Sequence, residues 1–404
     1  MLATVLLHLP AVRQMLLRDG RLQWLKVLFV ASRLAGWTVS YIVLADLTRY
    51  TDLVLYYYPE AVMVTEGRVP YLDFPTSYGP LFPFVSSALL PLWKAPAAVA
   101  FVMVLTEITA VLLFVDILAR RDESGENRAA WTLAVYLVNP AALYWSGMMG
   151  YNSSLILLCW VGAVGALTRN RFAASGMWLA LSVIAGKFLG VLAAPLWVAH
   201  PRRRYGVVAG MAILAVSLWY LGRQFQIDLA LPLLREGHRS TAGNFWFLSA
   251  LAPTAPDDSV WRYGPIALLA VTALGLSGWL ATRWRDVPRL EQLCGALSAM
   301  GWLFMVLSKK SFPHYAPMFL LFTIAAMCTR RSSNAAWAVL LAVIGAVGIL
   351  EPGLWNALGQ PGSIAKVTGS ATTIVALVSA DVVLVCGGLA LAAGSAGVAA
   401  GRRS

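Results

Sequence analysis

Long apolar stretches recur along the chain, separated by short clusters of Arg and Lys, so the pattern predicts membrane-crossing helices rather than a soluble core. Cation-rich loops mark the cytoplasmic side. The first span, about 27–46, follows Arg13, Arg18, Arg21 and Lys26, which places the N-terminus inside after an interfacial helix. Segment 81–93 is short and flanked by prolines, so it predicts an interfacial or re-entrant piece. Segment 97–119 descends to Arg120, Arg121 and Arg128, and 129–147 and 153–167 cross out and back around the turn 147–152. Segment 172–200 lies between Arg169/Arg171 and Arg202–Arg204, and both clusters require the cytoplasm. One crossing cannot satisfy both, so the segment is expected to be a hairpin with Lys187 at its tip. At about 1.5 Å per residue each leg reaches about 20 Å, against a hydrocarbon core of about 30 Å, so Lys187 would be recessed.

Further on, 206–222 leads to a second external loop, 223–264, and 265–282 returns. Segments 293–307 and 315–328 repeat the hairpin, with the outer tip Ser308–Tyr315, and 335–350 and 371–393 enclose the outer loop 351–369. The expectation is an all-α polytopic membrane protein of about twelve crossings, with both termini cytoplasmic. Nothing suggests a soluble domain or a repeat, so 1–404 reads as one membrane domain. Late glycines such as Gly387, Gly388, Gly394 and Gly397 read as helix-packing contacts.

Composition agrees: 59% of the 404 residues are hydrophobic and 12% charged, where a soluble domain has about 25% charged. The net charge of +12 resides mostly in the short interspan clusters, which fits orientation signals and not a nucleic-acid surface. Cys159, Cys294, Cys328 and Cys386 lie in or beside apolar segments without CxxC spacing, so they read as buried hydrophobes. The N-terminal cations follow their apolar run, the wrong order for a cleaved signal peptide.

The first external loop, 47–80, concentrates acids: Asp52, Glu60, Glu66 and Asp73, with Asp46 just before. The topology brings Asp52, Tyr78, Asn152, Lys187, His238, Arg239, Lys309, Lys310 and His314 to one side. One carboxylate opposed by several cations suits transfer of a group from a phosphate leaving group to a hydroxyl. The carboxylate takes the acceptor proton, and the cations neutralise charge on the departing phosphate. A membrane-anchored anion, a polyprenyl phosphate, would explain cations at outer-leaflet depth. Asp46 is an alternative base, and Asp73, beside Phe74, reads as a turn residue. Lys187 buried in a helix would cost about 2.5–3.5 kcal/mol unless it faced a cavity or an anion; the alternative is snorkelling to headgroups. The run Tyr56–Tyr58 is either an interfacial belt or a stacking platform. No His/Asp cluster has metal-ligand spacing, so neither an essential metal nor a cofactor is expected.

The order Asp52…Tyr56-Tyr57-Tyr58…Gly67…Pro70-Tyr71-Leu72-Asp73-Phe74…Tyr78-Gly79-Pro80-Leu81 resembles the first external loop of the GT-C superfamily. It is most similar to the polyprenyl-phosphate-mannose-dependent mannosyltransferases of glycosyltransferase family 87, an actinobacterial group. The turn near Asn152, the hairpin Gly176…Lys187 and the tip Phe312-Pro313-His314-Tyr315 extend the resemblance from about Arg33 to Cys328. It implies Asp52 as catalytic base, and Lys187, Lys309, Lys310 and His314 as donor-phosphate contacts. His238 and Arg239 are further phosphate candidates, and Tyr58, Glu60, Tyr71, Tyr78, Asn152 and Tyr315 are candidates for the sugar or acceptor. The resemblance also implies inversion, a glycolipid or lipid-linked glycan acceptor, and a bacterial plasma membrane with the site facing the exterior. The chain departs from the pattern in Tyr78-Gly79-Pro80, where many relatives have Tyr-Pro-Pro, and in Met148-Met149-Gly150-Tyr151-Asn152, where a Gln commonly precedes the Asn. A lipid-linked-sugar transporter or flippase is the rival expectation; it would need ionisable residues along a through-pathway.

Overall fold

The computed structural model describes residues 21–48, 51–121, 124–198, 204–224, 241–249, 259–284, 288–328, 334–362 and 364–401. These residues are helical throughout apart from turns and one isolated bridge, Pro70–Phe74. Six helices are long and apolar enough to cross a membrane: Arg21–Val43, Pro96–Ala119, Tyr263–Arg283, Leu290–Leu307, Ala336–Ala357 and Ala371–Ala399. The pair Ala142–Met148 and Ser153–Thr168, bent by 103°, would make a seventh if counted as one span. That is the build of a polytopic membrane protein. One leg of each expected hairpin is too short to add to this number: Phe172–Leu181 has 10 residues and Pro317–Met327 has 11, while Leu290–Leu307, the other leg of the second hairpin, is already among the six. Segment 81–93, expected not to cross, forms the 5-residue helix Phe82–Ser86 followed by turns. The expected N-terminal interfacial helix lies outside the described residues, as does most of loop 223–264.

The chain divides into two compact units. The first comprises Leu17–Leu137 and Leu143–Leu234. Its helices are α1 (Arg21–Thr38), α2 (Tyr58–Thr65), α3 (Pro96–Ala119), α4 (Gly125–Val138), α5 (Ser153–Thr168), α6 (Phe172–Leu181) and α7 (Arg204–Gln224). Pro96 opens α3 after an extended Ala95, where a missing N–H costs nothing. The α3 stripe containing Met103, Glu107, Val111 and Phe114 is wholly buried. Glu107 does not contradict that burial. Its carboxylate takes the Arg33 Nε of α1 at 3.2 and 3.3 Å and the Tyr136 hydroxyl of α4 at 2.9 Å. The guanidinium carbon lies 4.6 Å from the Phe29 ring centroid and 5.5 Å from that of Tyr136. Opposite charge, a second donor from Tyr136 and aromatic faces reduce, without cancelling, the cost of desolvating both ions.

The expected hairpin is present. From α6 a π-helical turn, Ser182–Gly186, runs to an extended Lys187, and the chain returns through the 3-10 turn Phe188–Ala193 and the helix Ala194–Val198. The Trp197 indole donates to the Ser175 hydroxyl at 2.7 Å. Gly190 abuts Ser182, where a Cβ would lie 2.2 Å from its Oγ. Both pairings centre on Gly186, which puts the turn at Gly186–Lys187.

The second unit holds residues 138–142 and the described residues from 241 onward. Its helices are α8 (Ser259–Arg283), α9 (Leu290–Leu307), α10 (Pro317–Met327), α11 (Asn334–Ala357) and α12 (Ala371–Ala399). Ser370 caps α12 by accepting the Thr373 amide. The apolar window of α9 is 78% buried while that of α8 is 22% buried, so α9 is the centre and α8 the rim. Serine and threonine link the middle helices: Ser298 meets Thr323 and Ser395 at 2.7 Å each, and the Trp302 indole donates to Thr323 at 3.0 Å. Gly387, Gly388 and Gly394 sit against Ile344, Val306 and Trp337, close approaches that a side chain would block.

The buried Arg33–Glu107 pair yields a test. Glu107→Ala leaves the guanidinium buried without its partner and should cost about 3–5 kcal/mol, whereas Arg33→Met with Glu107→Gln should recover most of that. Chemical unfolding in detergent micelles reads both values, and equal losses in the single and double variants would mean the two charges are not coupled.

Candidate functional site

Among the described residues there are four π-helical turns: Val39–Val43, Leu53–Tyr57, Ala142–Met148 and Ser182–Gly186. Such turns widen a helix by one residue and free backbone groups, which makes them frequent at functional sites. In the first unit, residues on or next to them meet. The Tyr41 hydroxyl donates to the Met149 carbonyl at 2.7 Å. Trp145 and Tyr151 pack edge-on at 5.5 Å, and Tyr57 and Tyr151 at 6.4 Å.

Asp52 is the half-buried residue at the head of the turn Leu53–Tyr57, and its side chain does not cap that turn. Its carboxylate acts electrostatically on the Tyr151 phenol, and the Tyr151 hydroxyl is hydrogen-bonded to the Asp52 backbone. Gly150, at φ 63, lets this turn approach: a Cβ there would come within 3.1 Å of Leu53 and 3.2 Å of Ala100. Asp46 falls in the separate 3-10 turn Ala45–Thr48.

From Asp52 the cluster continues to Lys187. Tyr57 packs edge-on against Tyr78 and Phe82, both at 4.9 Å. The Lys187 ammonium lies 5.4 Å from the Tyr78 ring centroid, a cation–π contact. Tyr78 is brought there by the backbone, because the Gly79 amide donates to the Gly186 carbonyl at 3.2 Å and the Leu81 amide to the Ile184 carbonyl at 3.0 Å. A Cβ on Gly79 would lie 2.1 Å from the Ile184 oxygen. Proline at 79 would lose the donor and collide with the hairpin.

The other predicted residues divide. Asn152 is buried, does not cap α5, and its amide Nδ2 has no hydrogen-bond partner. A buried donor beside Asp52's neighbour Tyr151 is suited to a ligand oxygen. Glu60 is buried and accepts the Thr76 hydroxyl at 2.7 Å. Tyr71 donates its hydroxyl to the Tyr78 carbonyl. Burial raises its phenol pKa and the Glu60 charge adds to this. Tyr58 instead donates to the Lys94 carbonyl at 3.4 Å, away from the Asp52 cluster.

In the second unit, Lys309 and Lys310 are half-buried on the turn after α9. His314 is buried, stacked on Phe312 at 5.0 Å and edge-on to Tyr315 at 4.4 Å. Tyr315 is itself core, packed on Phe304 at 5.9 Å. Residues 241–246 seat on this tip. Thr241 donates through its amide to the Lys309 carbonyl at 2.9 Å, and the Trp246 indole donates to the Leu307 carbonyl at 2.6 Å. His238 and Arg239 lie outside the described residues.

Sequence reading gave no role to Tyr151 or Thr76, and named Tyr57 only within the run Tyr56–Tyr58; their roles depend on tertiary placement. It also passed over Glu107, Glu351 and Asp381, although an acid inside an apolar run is a functional signal by itself. Glu351 and Asp381 are buried on α11 and α12, and the Asp381 charge acts on Glu351. Asp381 accepts the Gly243 amide at 2.9 Å. Comparison with protein-family models and with curated proteins returns no match for this chain.

The seating of loop 76–81 on the hairpin is testable through Tyr78, which is buried. Gly79→Ala should unseat the loop and expose the peptide bond after Tyr78 to chymotrypsin, with a loss of roughly 1–3 kcal/mol as the Gly186 and Ile184 carbonyls lose their donors. Wild-type resistance in that variant would mean the loop is held by something else.

Proposed function

We propose that this chain is an integral-membrane glycosyltransferase that moves a sugar, mannose by its resemblance to the family 87 enzymes, from a polyprenyl phosphate to a hydroxyl. The acceptor is a glycolipid or lipid-linked glycan, and the site faces the exterior of a bacterial plasma membrane. Asp52 takes the acceptor's hydroxyl proton as that oxygen attacks the sugar's anomeric carbon. The bond from that carbon to the phosphate oxygen breaks, the leaving phosphate carries away the electron pair, and configuration inverts. Lys187 supplies positive charge to the phosphate, and Asn152 a donor to the sugar or acceptor. The observation that carries this reading is the continuous path Asp52–Tyr151–Tyr57–Tyr78–Lys187 within one unit. It gives a carboxylate and an ammonium on one aromatic-walled cluster. Lys309, Lys310 and His314 are the further phosphate candidates of the second unit.

A second reading, transport of a lipid-linked sugar, draws on the ionisable groups inside candidate spans, namely Arg33 with Glu107 and the acids Glu351 and Asp381. Purified protein given radiolabelled polyprenyl-phosphate mannose and a panel of glycolipid acceptors separates the two. The enzyme forms a labelled product in detergent, where no gradient or second compartment exists; a transporter forms none.

Asp52→Asn should lower kcat by about 10²–10⁴-fold with the fold intact. Near wild-type turnover in that variant would rule out Asp52 as the base. Lys187→Ala should raise the donor KM and lower kcat by about 10²-fold or more; an unaltered donor KM would remove the phosphate assignment.

A further inference from the structure

Residues 70–78 form a strap whose shape depends on one acid. Tyr71 sits at φ 68, a left-handed conformation that costs a non-glycine residue about 1–2 kcal/mol. It persists because its amide donates to the Phe74 carbonyl at 2.9 Å and its hydroxyl to the Tyr78 carbonyl. The Thr76 hydroxyl oxygen accepts the Tyr78 amide at 3.2 Å while its proton goes to Glu60 at 2.7 Å. Glu60 thus anchors, through Thr76, the residue that covers Lys187.

Among the described residues, the charged groups around α2 have partners other than Glu60. Arg68 pairs with Glu66 at 3.6 Å, both exposed, and Asp73 accepts the Val69 amide at 2.6 Å. Asp52, on the preceding turn, acts on Tyr151. Helix Phe82–Ser86 carries no titratable side chain. On α3, Glu107 faces Arg33 and Asp116 faces Lys26 at 2.6 Å. Lys94 meets Tyr58 through its carbonyl, and Lys187 lies against the Tyr78 ring. The groups that do face Glu60 are Thr76 and Tyr71.

We propose that Glu60 is a positioning residue and a proton switch: neutral, it holds the strap that sets Tyr78 on Lys187, and ionised, it loosens that strap. Its bearing on catalysis rests on the sugar-transfer reading; the docking itself does not. Burial pushes the Glu60 carboxyl up to about 7, against the opposing Thr76 hydrogen bond. An exposed Glu loses its proton near 4.5, so the docked strap binds the proton more tightly than the undocked one. Docking is then strongest below that value and weakens as pH rises through about 7.

Hydrogen–deuterium exchange of amides 76–81 in the purified full chain, corrected for intrinsic exchange, reads the docking directly. Wild-type protection should fall about tenfold between about pH 5.5 and 8.5. Glu60→Gln, neutral at every pH and able to keep the Thr76 contact, should stay protected and lose the pH dependence. Thr76→Val should be less protected at both values. A flat wild-type profile, or a Glu60→Gln profile that still falls with pH, overturns the switch. Failure of sugar transfer with this profile intact would remove the function and leave the switch standing.

Discussion

A helix that ends among buried residues leaves carbonyl groups that water cannot reach, and something in the protein must take them. The hairpin after α6 stops in this way at Gly186. Its Ile184 and Gly186 carbonyls are taken by the Leu81 and Gly79 amides. The partner is another irregular segment, with its own unpaired groups. Two stretches that would each be costly alone become stable by pairing. A glycine at 79 is the condition for their approach.

That pairing also fixes the chemistry. Because the loop is held by backbone groups, its side chains remain available, and Tyr78 falls between Lys187 and Tyr57. Tyr57 follows Asp52 by about one turn of the wide π-helical geometry, so acid and lysine are positioned by the same aromatic cluster. Rigid rings suit the task, since they fill space with little rotamer entropy to lose. The buried Asn152 amide, with no acceptor of its own, adds a polar contact to a wall otherwise built from rings.

Much of this was legible in the sequence, for identifiable reasons. The hairpin and Lys187 at its turn followed from two basic clusters that a single crossing could not reconcile, and that constraint is global and strong. The absence of a long helix from 81–93 followed from length and prolines. The number of crossings was less legible, because hydropathy alone does not say whether a short leg such as Phe172–Leu181 reaches across a bilayer. Side-chain roles were the least legible. Glu60 and Glu66 lie on the same short stretch, yet the first is buried and bonded to Thr76 while the second is exposed beside Arg68. Nothing local distinguishes them; the strap that covers one and leaves the other open comes from residues 70–78. The inward acids Glu107 and Asp381 were readable as exceptions within apolar runs, but their partners were not.

The two units treat buried acid differently, and the contrast narrows what each can do. In the first, Glu107 is matched by Arg33 and Tyr136, so its charge is satisfied and its place is structural. In the second, Asp381 has the Gly243 amide on one oxygen and no hydrogen-bond partner on the other. Glu351 lies on the far side of the same glycine, with its carboxyl carbon 3.8 Å from where a Cβ would stand. Two carboxyls around one backbone amide do not both remain ionised cheaply in an apolar setting. The loop 241–249 is held by Asp381 through a single backbone amide, whereas α1 and α3 are joined by an ion pair. The paired acid therefore ties two helices together by opposite charge, and Asp381 ties a loop to α12 with one of its oxygens left without a partner.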